Sequence, residues 1–302
     1  MANTTLSAKG ASNRWVIYCR ERFPLPQTGA SVAAFTFATL SFAGPFSALR
    51  FIAAFAVAFL FFLELRILDE FKDAEDDATY RPYRPVPRGL VSLRELGTVG
   101  LAGAVIQFAL AALASPAAIT SLVATFAWMA LMAREFFVSA WLRAHPVAYL
   151  ASHTAVMPFI TVTVASFGGG FLAWDGAGLT YLAFTCVSAV VMEIGRKLRA
   201  PPDEEKGVET YTFLWGRRRA VTVWLLCIVA SGVLAVIATG DARSSVAMGG
   251  LGLAALLTAL ACGLRFLVRP SPGAGRILQG VSAVWILVAY VGLGVAVLAR
   301  TP

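Results

Sequence analysis

"LRFIAAFAVAFLFFLELRI", residues 49–67, runs directly into "LDEFKDAEDDATYRPYRPVPRG", residues 68–89. The first stretch is apolar and has about the length that an α-helix needs to cross a bilayer core, roughly 20 residues. The second stretch brings six carboxylates to the end of that helix: Asp69, Glu70, Asp73, Glu75, Asp76 and Asp77. Unpaired charge is costly at a membrane and tends to be functional there. The junction therefore predicts a membrane fold together with a functional site.

The composition extends the membrane prediction to the whole chain. Of the 302 residues, 58% are hydrophobic and only 14% are charged, and the mean hydropathy is +0.74. Soluble domains contain about 25% charged residues. Because unpaired backbone groups cannot face lipid, we predict an all-α polytopic membrane protein with about nine transmembrane helices in one bundle. The predicted spans are 28–47, 48–68, 93–114, 117–135, 147–171, 177–196, 220–239, 245–264 and 277–299.

The domain organisation follows from the absence of a polar linker between the apolar stretches. Residues 28–302 are predicted to form a single membrane domain. Residues 1–27 precede it, and there Trp15, Ile17 and Tyr18 alternate with arginines. That mixture is typical of a helix lying in the membrane interface, so we predict an N-terminal interfacial segment. The first residues also lack the basic-then-apolar pattern of a cleavable signal.

The distribution of basic residues predicts the orientation. With a cytoplasmic N-terminus, the outer segments contain only Arg50, Arg243 and Arg300 of the 25 Lys and Arg residues, which leaves 22 on the inner side. This asymmetry predicts an integral protein of a bacterial inner membrane with cytoplasmic site loops. The formal charge of +8 is then explained by topology and anionic lipid, so nucleic acid is not an expected partner. The charged loops 69–92 and 197–219 share one membrane face.

The spacing of the first acids predicts either a cation site or a solvated helix end. Asp69, Asp73 and Asp77 are four residues apart, so on one helix they lie along a single face. Like charges at this spacing repel each other unless solvent screens them or a cation lies between them. The alternative is a helix end stabilised by local pairs. Those pairs are Arg66 with Glu70 and Lys72 with Asp76.

The second loop favours the cation site. "MEIGRKLRAPPDEEKGVETYTFLWG", residues 192–216, again follows an apolar helix with interleaved acidic and basic residues. Carboxylate oxygens suit Mg²⁺, which commonly links one or two carboxylates to substrate phosphates. Neighbouring basic side chains suit the phosphates themselves. A site between two such loops at a membrane surface predicts a lipid diphosphate as its ligand.

The two loops resemble the signatures of the UbiA superfamily of intramembrane prenyltransferases. The first signature, Asn/Asp-x3-Asp-x3-Asp followed by Arg-Pro-x-Pro-x-Gly, matches Asp69, Asp73, Asp77, Arg84, Pro85, Pro87 and Gly89. The end of the second signature, Asp-x3-Gly-x-x-Thr, matches Asp203, Gly207 and Thr210. Upstream of Asp203 the chain departs from the family's four-residue aspartate steps, and there Glu193 is either a metal ligand or a partner of Arg196 or Lys197.

The resemblance implies Mg²⁺-dependent transfer of a prenyl group from an isoprenoid diphosphate to a small, aromatic or lipid-like acceptor within the membrane. It implies four catalytic acids, Asp69, Asp73, Asp77 and Asp203. The implied metal ligands are Asp69, Asp73, Asp77, Asp203 and Glu193. The candidates for substrate phosphate contact are Lys72, Arg84, Arg143, Arg196 and Lys197. The implied partners are the diphosphate donor, the acceptor and membrane lipid.

Two other functions stay open. A terpene cyclase of the same superfamily would ionise the same donor and close the cation on its own double bonds, so it needs the same diphosphate site. A cation transporter would carry acids near the middle of the membrane and broken helices. The sequence leaves the acceptor, the donor chain length and the oligomeric state undetermined.

Overall fold

The computed structural model describes residues 8–169 and 175–300, and it describes side chains from residue 13 onward. These ranges contain fourteen α-helices joined by loops and short 3-10 turns, with no strand in them. The helices are α1 (Ala8–Arg22), α2 (Leu25–Ala43), α3 (Ala48–Lys72), α4 (Ala74–Tyr80), α5 (Leu93–Ala114), α6 (Pro116–Ala133), α7 (Ser139–Ala144), α8 (Pro146–Thr154), α9 (Val156–Ala165), α10 (Gly176–Arg196), α11 (Tyr211–Trp215), α12 (Arg217–Thr239), α13 (Ala242–Val268) and α14 (Ala274–Leu298). The all-α prediction is confirmed.

Eight helical segments are long and apolar enough to cross a membrane within the described ranges: α3, α5, α6, the α8–α9 segment, α10, α12, α13 and α14. The chain is therefore an integral membrane protein. The predicted count of nine is approximate, because it includes α2 at 28–47. That helix has 19 residues, and its more polar first half, with Gln27 and Thr28, precedes a buried second half packed on α14.

The fifth predicted span, 147–171, is divided into α8 and α9 at Ala155. Pro158 explains the division, because proline has no N–H and its ring clashes with the carbonyl four residues earlier, here that of Thr154. The last two residues of that predicted span lie outside the described residues. The break leaves α8 as a short helix at the same end of the bundle as the first acidic loop.

Close helix packing depends on small residues and on buried hydrogen bonds. Gly195 of α10 touches Ser282 of α14, so a β-carbon at this position would clash. Two tryptophans bond across helices: Trp224 Nε1 donates to Ser282 Oγ at 2.9 Å, and Trp285 Nε1 donates to Ser231 Oγ at 2.8 Å. In lipid, such contacts replace the hydrophobic driving force that acts in water.

Two ion pairs bind helix α1 to the end of the bundle where α3 ends and α5 begins. Arg14 pairs with Glu95 of α5 at 2.6 Å, and Arg22 pairs with Glu70 of α3 at 2.6 Å. Tyr18 between them is buried, and that burial raises its pKa to about 12. Residues 1–7 of the predicted N-terminal segment lie outside the described residues. The division at residues 27 and 28 stays a prediction.

Candidate active site

The three aspartates of the first loop follow a helical path with one interruption. Helix α3 ends at Lys72, and α4 begins at Ala74, so the single continuous helix assumed from the spacing is interrupted at Asp73. The backbone hydrogen bonds continue across the interruption. The N–H of Asp73 donates to the Asp69 carbonyl at 2.9 Å, and that of Asp77 donates to the Asp73 carbonyl at 2.7 Å. The four-residue repeat is therefore preserved.

Asp77 is buried and held by two arginines. Arg81 Nη2 lies 2.6 Å from Asp77 Oδ1, and Arg84 Nη1 lies 3.0 and 2.7 Å from the two carboxylate oxygens. Arg84 belongs to the Arg-Pro-x-Pro-x-Gly segment, so the two halves of the first signature bind each other. Charge-assisted bonds of this kind are the strong ones. Asp77 and Arg84, the predicted metal ligand and phosphate contact, form an ion pair with each other, and their predicted roles stay predictions.

Asp69 and Asp73 are the first-loop signature carboxylates without a short bond. Arg66 is 3.7 Å from Asp69, whose side chain is 49% exposed. Asp73 makes no ion pair or side-chain hydrogen bond with any described residue. Partial burial raises the pKa of Asp73, and the nearby carboxylates of Asp69 and Asp77 raise it further. Asp73 thus lies in surroundings that favour a positive partner.

Lys72 uses all three of its N–H donors within the protein. It forms an ion pair with Glu135 Oε1 at 2.7 Å, donates to the Tyr149 hydroxyl, and lies 3.3 Å from His153 Nε2. His153 Nδ1 lies 2.9 Å from the Tyr149 carbonyl, which can only accept, so the proton is on Nδ1 and Nε2 accepts from Lys72. An ammonium has three donors. Lys72 therefore has its donors engaged with Glu135, Tyr149 and His153, and its predicted phosphate contact stays a prediction.

Glu135 reaches Lys72 from an unusual turn. Glu135, Phe136 and Phe137 have φ values of 47°, 53° and 60°. This left-handed region costs an ordinary residue about 1–2 kcal/mol. The turn directs the Glu135 carboxylate to Lys72 and places the Phe136 ring 6.3 Å from that of His153.

The acids of the second loop have partners of their own. Glu193 lies 2.5 Å from Arg196 Nε and 3.0 Å from Lys197 Nζ. The Lys197 ammonium also lies 5.7 Å from the centre of the Tyr211 ring. Of the two roles predicted for Glu193, metal ligand or partner of Arg196 or Lys197, the geometry shows the partner role.

The residues of the second signature have evident structural contacts. Asp203 Oδ2 accepts from the backbone N–H of Gly273 at 2.8 Å, at the start of α14. Gly207 has φ +76°, and a β-carbon there would lie 2.5 Å from the Tyr80 ring. Thr210 caps α11 by accepting from Phe213 N at 3.1 Å. These contacts give the loop its shape, and Asp203 is directed to α14.

The two loops meet at one end of the bundle. Tyr83 donates to Glu205 Oε2 at 2.6 Å, and Gly207 packs against Tyr80. Arg196 of the second loop is close enough to Asp69 of the first to interact electrostatically. The sequence prediction of loops that share one face is therefore matched by direct contacts between them.

Arg143, another predicted phosphate contact, is exposed at the end of α7 without an ion pair to any described residue.

Sequence reasoning missed Arg81 and gave Tyr149 no role. The four-residue spacing of Asp77 and Arg81 is the signal that could have predicted their ion pair. Tyr149 lies at the start of the fifth span, and only the fold brings it to Lys72.

The carboxylates present fit a magnesium ion through two ligands. The five predicted ligands do not converge, and in the described part of the chain no three His, Cys, Asp or Glu side chains form a metal-binding group. Of the five predicted ligands, Asp69 and Asp73 are the two with free coordination capacity. Mg²⁺ often binds through one or two carboxylates and completes its shell with substrate phosphates and water. The donor set suits such an ion.

Comparison with solved structures identifies the architecture. A UbiA homologue from Aeropyrum pernix K1 matches with a TM-score of 0.67 and 17% identity, covering 91% of this chain and 98% of its own. The chain has the UbiA fold. A UbiA homologue from Archaeoglobus fulgidus, solved with DMAPP and Mg²⁺, matches with a TM-score of 0.58 and 14% identity, covering 94% and 99%. A digeranylgeranylglyceryl phosphate synthase structure matches with a TM-score of 0.60 and 14% identity, covering 95% and 99%.

No protein-family model and no curated protein matches the chain. At these identities the structural likeness establishes the UbiA fold. The chemistry of the site must be argued from its residues.

Proposed function

We propose that this chain is a Mg²⁺-dependent prenyltransferase of the UbiA superfamily. It binds an isoprenoid diphosphate between the two charged loops and transfers the prenyl group to a small, aromatic or lipid-like acceptor within the membrane. The observation that carries the proposal is the pair of available carboxylates, Asp69 and Asp73, at the end of the bundle where the two loops meet. Arg196 of the second loop is close enough to Asp69 to interact electrostatically. The structure of the Archaeoglobus fulgidus homologue with DMAPP and Mg²⁺ supports the choice of ligand.

In this proposal the acidic residues bind the metal ion and the basic residues bind the diphosphate. Asp69 and Asp73 would hold Mg²⁺, and the bound ion supplies Lewis-acid neutralisation of the diphosphate charge. Arg196 and Lys197 are half-exposed, with side-chain exposures of 42% and 33%, so both retain donors for a phosphate while they pair with Glu193. Fixed positive groups at the leaving oxygen stabilise the charge that grows there.

Lys72 and its partners lie close to Asp69, one of the proposed metal ligands. The Tyr149 hydroxyl accepts from Lys72, so its own proton is available to donate towards the leaving diphosphate. Asp69 lies within electrostatic range of both Tyr149 and His153, which supports a role for this group beside the proposed Mg²⁺ site. In this proposal the network orients the Tyr149 hydroxyl as a proton donor near Asp69.

Aromatic side chains cluster beside the Lys72 network, where the Phe136 ring lies 6.3 Å from that of His153. Trp128 stacks on Phe159 with ring centres 4.9 Å apart and contacts Phe136 at 5.2 Å. When the C–O bond of an allylic diphosphate breaks, the cation must meet its acceptor before water does. Aromatic faces attract a cation, and an apolar chamber excludes water.

The arrangement favours an enzyme over a cation transporter. A transporter site would assemble several acids deep in the membrane. Glu64 is the buried acid in the interior of α3, and its surroundings are Gly103 and Gln107 of α5. Among the described residues, it belongs to no group of three or more His, Cys, Asp or Glu side chains that could hold a metal ion.

Diphosphate release by purified protein tests the proposal. The protein is incubated in detergent with Mg²⁺ and geranyl, farnesyl or geranylgeranyl diphosphate, with and without a panel of phenolic and lipid acceptors. We expect release that depends on Mg²⁺ and an acceptor, with a prenylated product by mass spectrometry. A cyclic hydrocarbon from donor alone would instead establish the terpene cyclase. Undiminished release by the Asp73→Asn variant would refute the assignment of the site.

A further inference from the structure

A cavity of about 620 Å³ lies at the end of the bundle opposite the candidate active site. It is bounded where α3 and α6 begin, where α5 ends, and by the turn at residues 166–169. Ligand pockets typically enclose about 300–1,000 Å³. Because helix ends mark the membrane boundary, the cavity lies at the level where lipid headgroups meet hydrocarbon.

The wall of the cavity is mostly hydrocarbon. Leu49 of α3 and Leu113 of α5 project from it and are 78% and 86% exposed, whereas Ala53, Ala114 and Ala117 leave space between them. The small side chains leave room between the large ones, and we call this apolar part of the cavity the channel. Such a channel suits an extended acyl chain.

One charged side chain, that of Arg50, lines the cavity. Its Nη1 donates to the Gly168 carbonyl at 2.8 Å, which fixes the guanidinium at the rim. Gly169 has φ +94°, and a β-carbon there would lie 2.7 Å from Nη1, so glycine is required beside the guanidinium. The remaining N–H groups have no carboxylate partner among the described residues. By contrast, Arg300 at the same end pairs with Asp241 at 3.7 Å.

We propose that this cavity binds one phospholipid molecule, with the lipid phosphate on Arg50 and an acyl chain along the apolar wall. The planar fork of a guanidinium matches two phosphate oxygens. A ligand for this site therefore needs a phosphate for the fixed guanidinium and an acyl chain for the channel. This site is independent of the proposed catalytic function, because it uses none of its residues.

Native mass spectrometry of the full chain in detergent, titrated with phosphatidylglycerol, tests the proposal. The Arg50→Gln variant removes the charge. The matched control is Arg243→Gln, which changes another exposed arginine at the same end of the bundle. We expect the wild type and Arg243→Gln to retain one lipid with equal affinity, and Arg50→Gln to bind it about tenfold more weakly, the size of one lost charged hydrogen bond. Equal binding by all three proteins would overturn the site.

A second variant separates the two parts of the lipid. Ala114→Phe fills the channel from an exposed position and leaves Arg50 in place. We expect it also to lose the bound lipid, with an unchanged melting temperature as proof of folding. Displacement of the lipid by an equal concentration of inorganic phosphate would show that the phosphate group alone binds. A dimer mass that disappears in Ala114→Phe would show that a second copy of the chain covers the channel. Either result would refute the lipid assignment.

Discussion

The two charged loops lie at the same end of the bundle but differ in how their carboxylates are engaged. In the second loop, Glu193 binds Arg196 and Lys197, Asp203 binds a backbone N–H, and Glu204 accepts from Thr210 and Thr212. In the first loop, Asp69 and Asp73 have no short bond to a described residue. The difference supports our proposal that the first loop supplies the metal ligands, and that the second presents basic groups to the phosphates.

Removing the Asp73 carboxylate is the largest expected effect on catalysis. Asp73→Asn should lower Mg²⁺-dependent diphosphate release by about 10²–10³-fold, the cost of losing one aligned electrostatic group. Release is followed with a coupled phosphate assay. The protein should melt at the same temperature or higher, because a repelled charge is removed. The exposed neighbour Asp76 is the matched control, and an equal loss in Asp76→Asn would contradict the comparison.

Asp77 should matter first for stability. Asp77→Asn leaves Arg81 and Arg84 partly buried without their carboxylate, and breaking such a pair costs about 3 kcal/mol or more. Denaturant unfolding followed by tryptophan fluorescence measures the change in the free energy of unfolding. A variant that keeps wild-type stability and loses Mg²⁺ binding would instead return Asp77 to the set of metal ligands.

The second-loop acids should give smaller effects. Asp203→Asn keeps an oxygen that accepts from Gly273, and Glu193→Gln keeps an acceptor for Arg196 and Lys197. We expect changes of less than about threefold in the apparent Mg²⁺ affinity, since a surface-level pair contributes under about 1 kcal/mol. Isothermal titration with Mg²⁺ and a non-hydrolysable diphosphate analogue measures that affinity. A loss as large as that of Asp73→Asn would erase the distinction between the loops.

The smallest expected effect is a pH dependence of stability in metal-free buffer. Because the folded-state pKa of Asp73 is raised above its ordinary value of 3.8, the folded protein holds this proton more tightly than the unfolded chain does. Stability relative to Asp73→Asn should therefore be greatest below about pH 4 and fall as the pH rises through the folded-state pKa. Melting temperatures of the two proteins with chelator, measured from pH 4 to 8, check the sign. A difference that grows with pH in favour of the wild type would contradict it.

The sequence predicted the spans and the meeting of the loops because both depend on local patterns. Apolar length and charge placed the helices within a few residues, and the three- and four-residue spacings indicated the Glu193 pairs with Arg196 and Lys197. Only Pro158 indicated the break in the fifth span.

The contacts that spacing cannot indicate are those between distant segments. Lys72 was paired on sequence with Asp76, yet it binds Glu135, 63 residues away, because a left-handed turn directs that carboxylate inward. Asp203 was predicted as a ligand, and its contact with Gly273 depends on where α14 begins. Neither contact has a signature in residue type or period.

The left-handed turn at Glu135–Phe137 has a practical consequence for anyone preparing this protein. Phe137 is 77% exposed and holds a backbone angle of 60° that glycine adopts freely. Phe137→Gly would relieve about 1 kcal/mol of conformational strain two residues from the Lys72 partner and leave Glu135 in place. Phe137→Gly is therefore a single substitution that we expect to give a more heat-resistant protein for crystallisation.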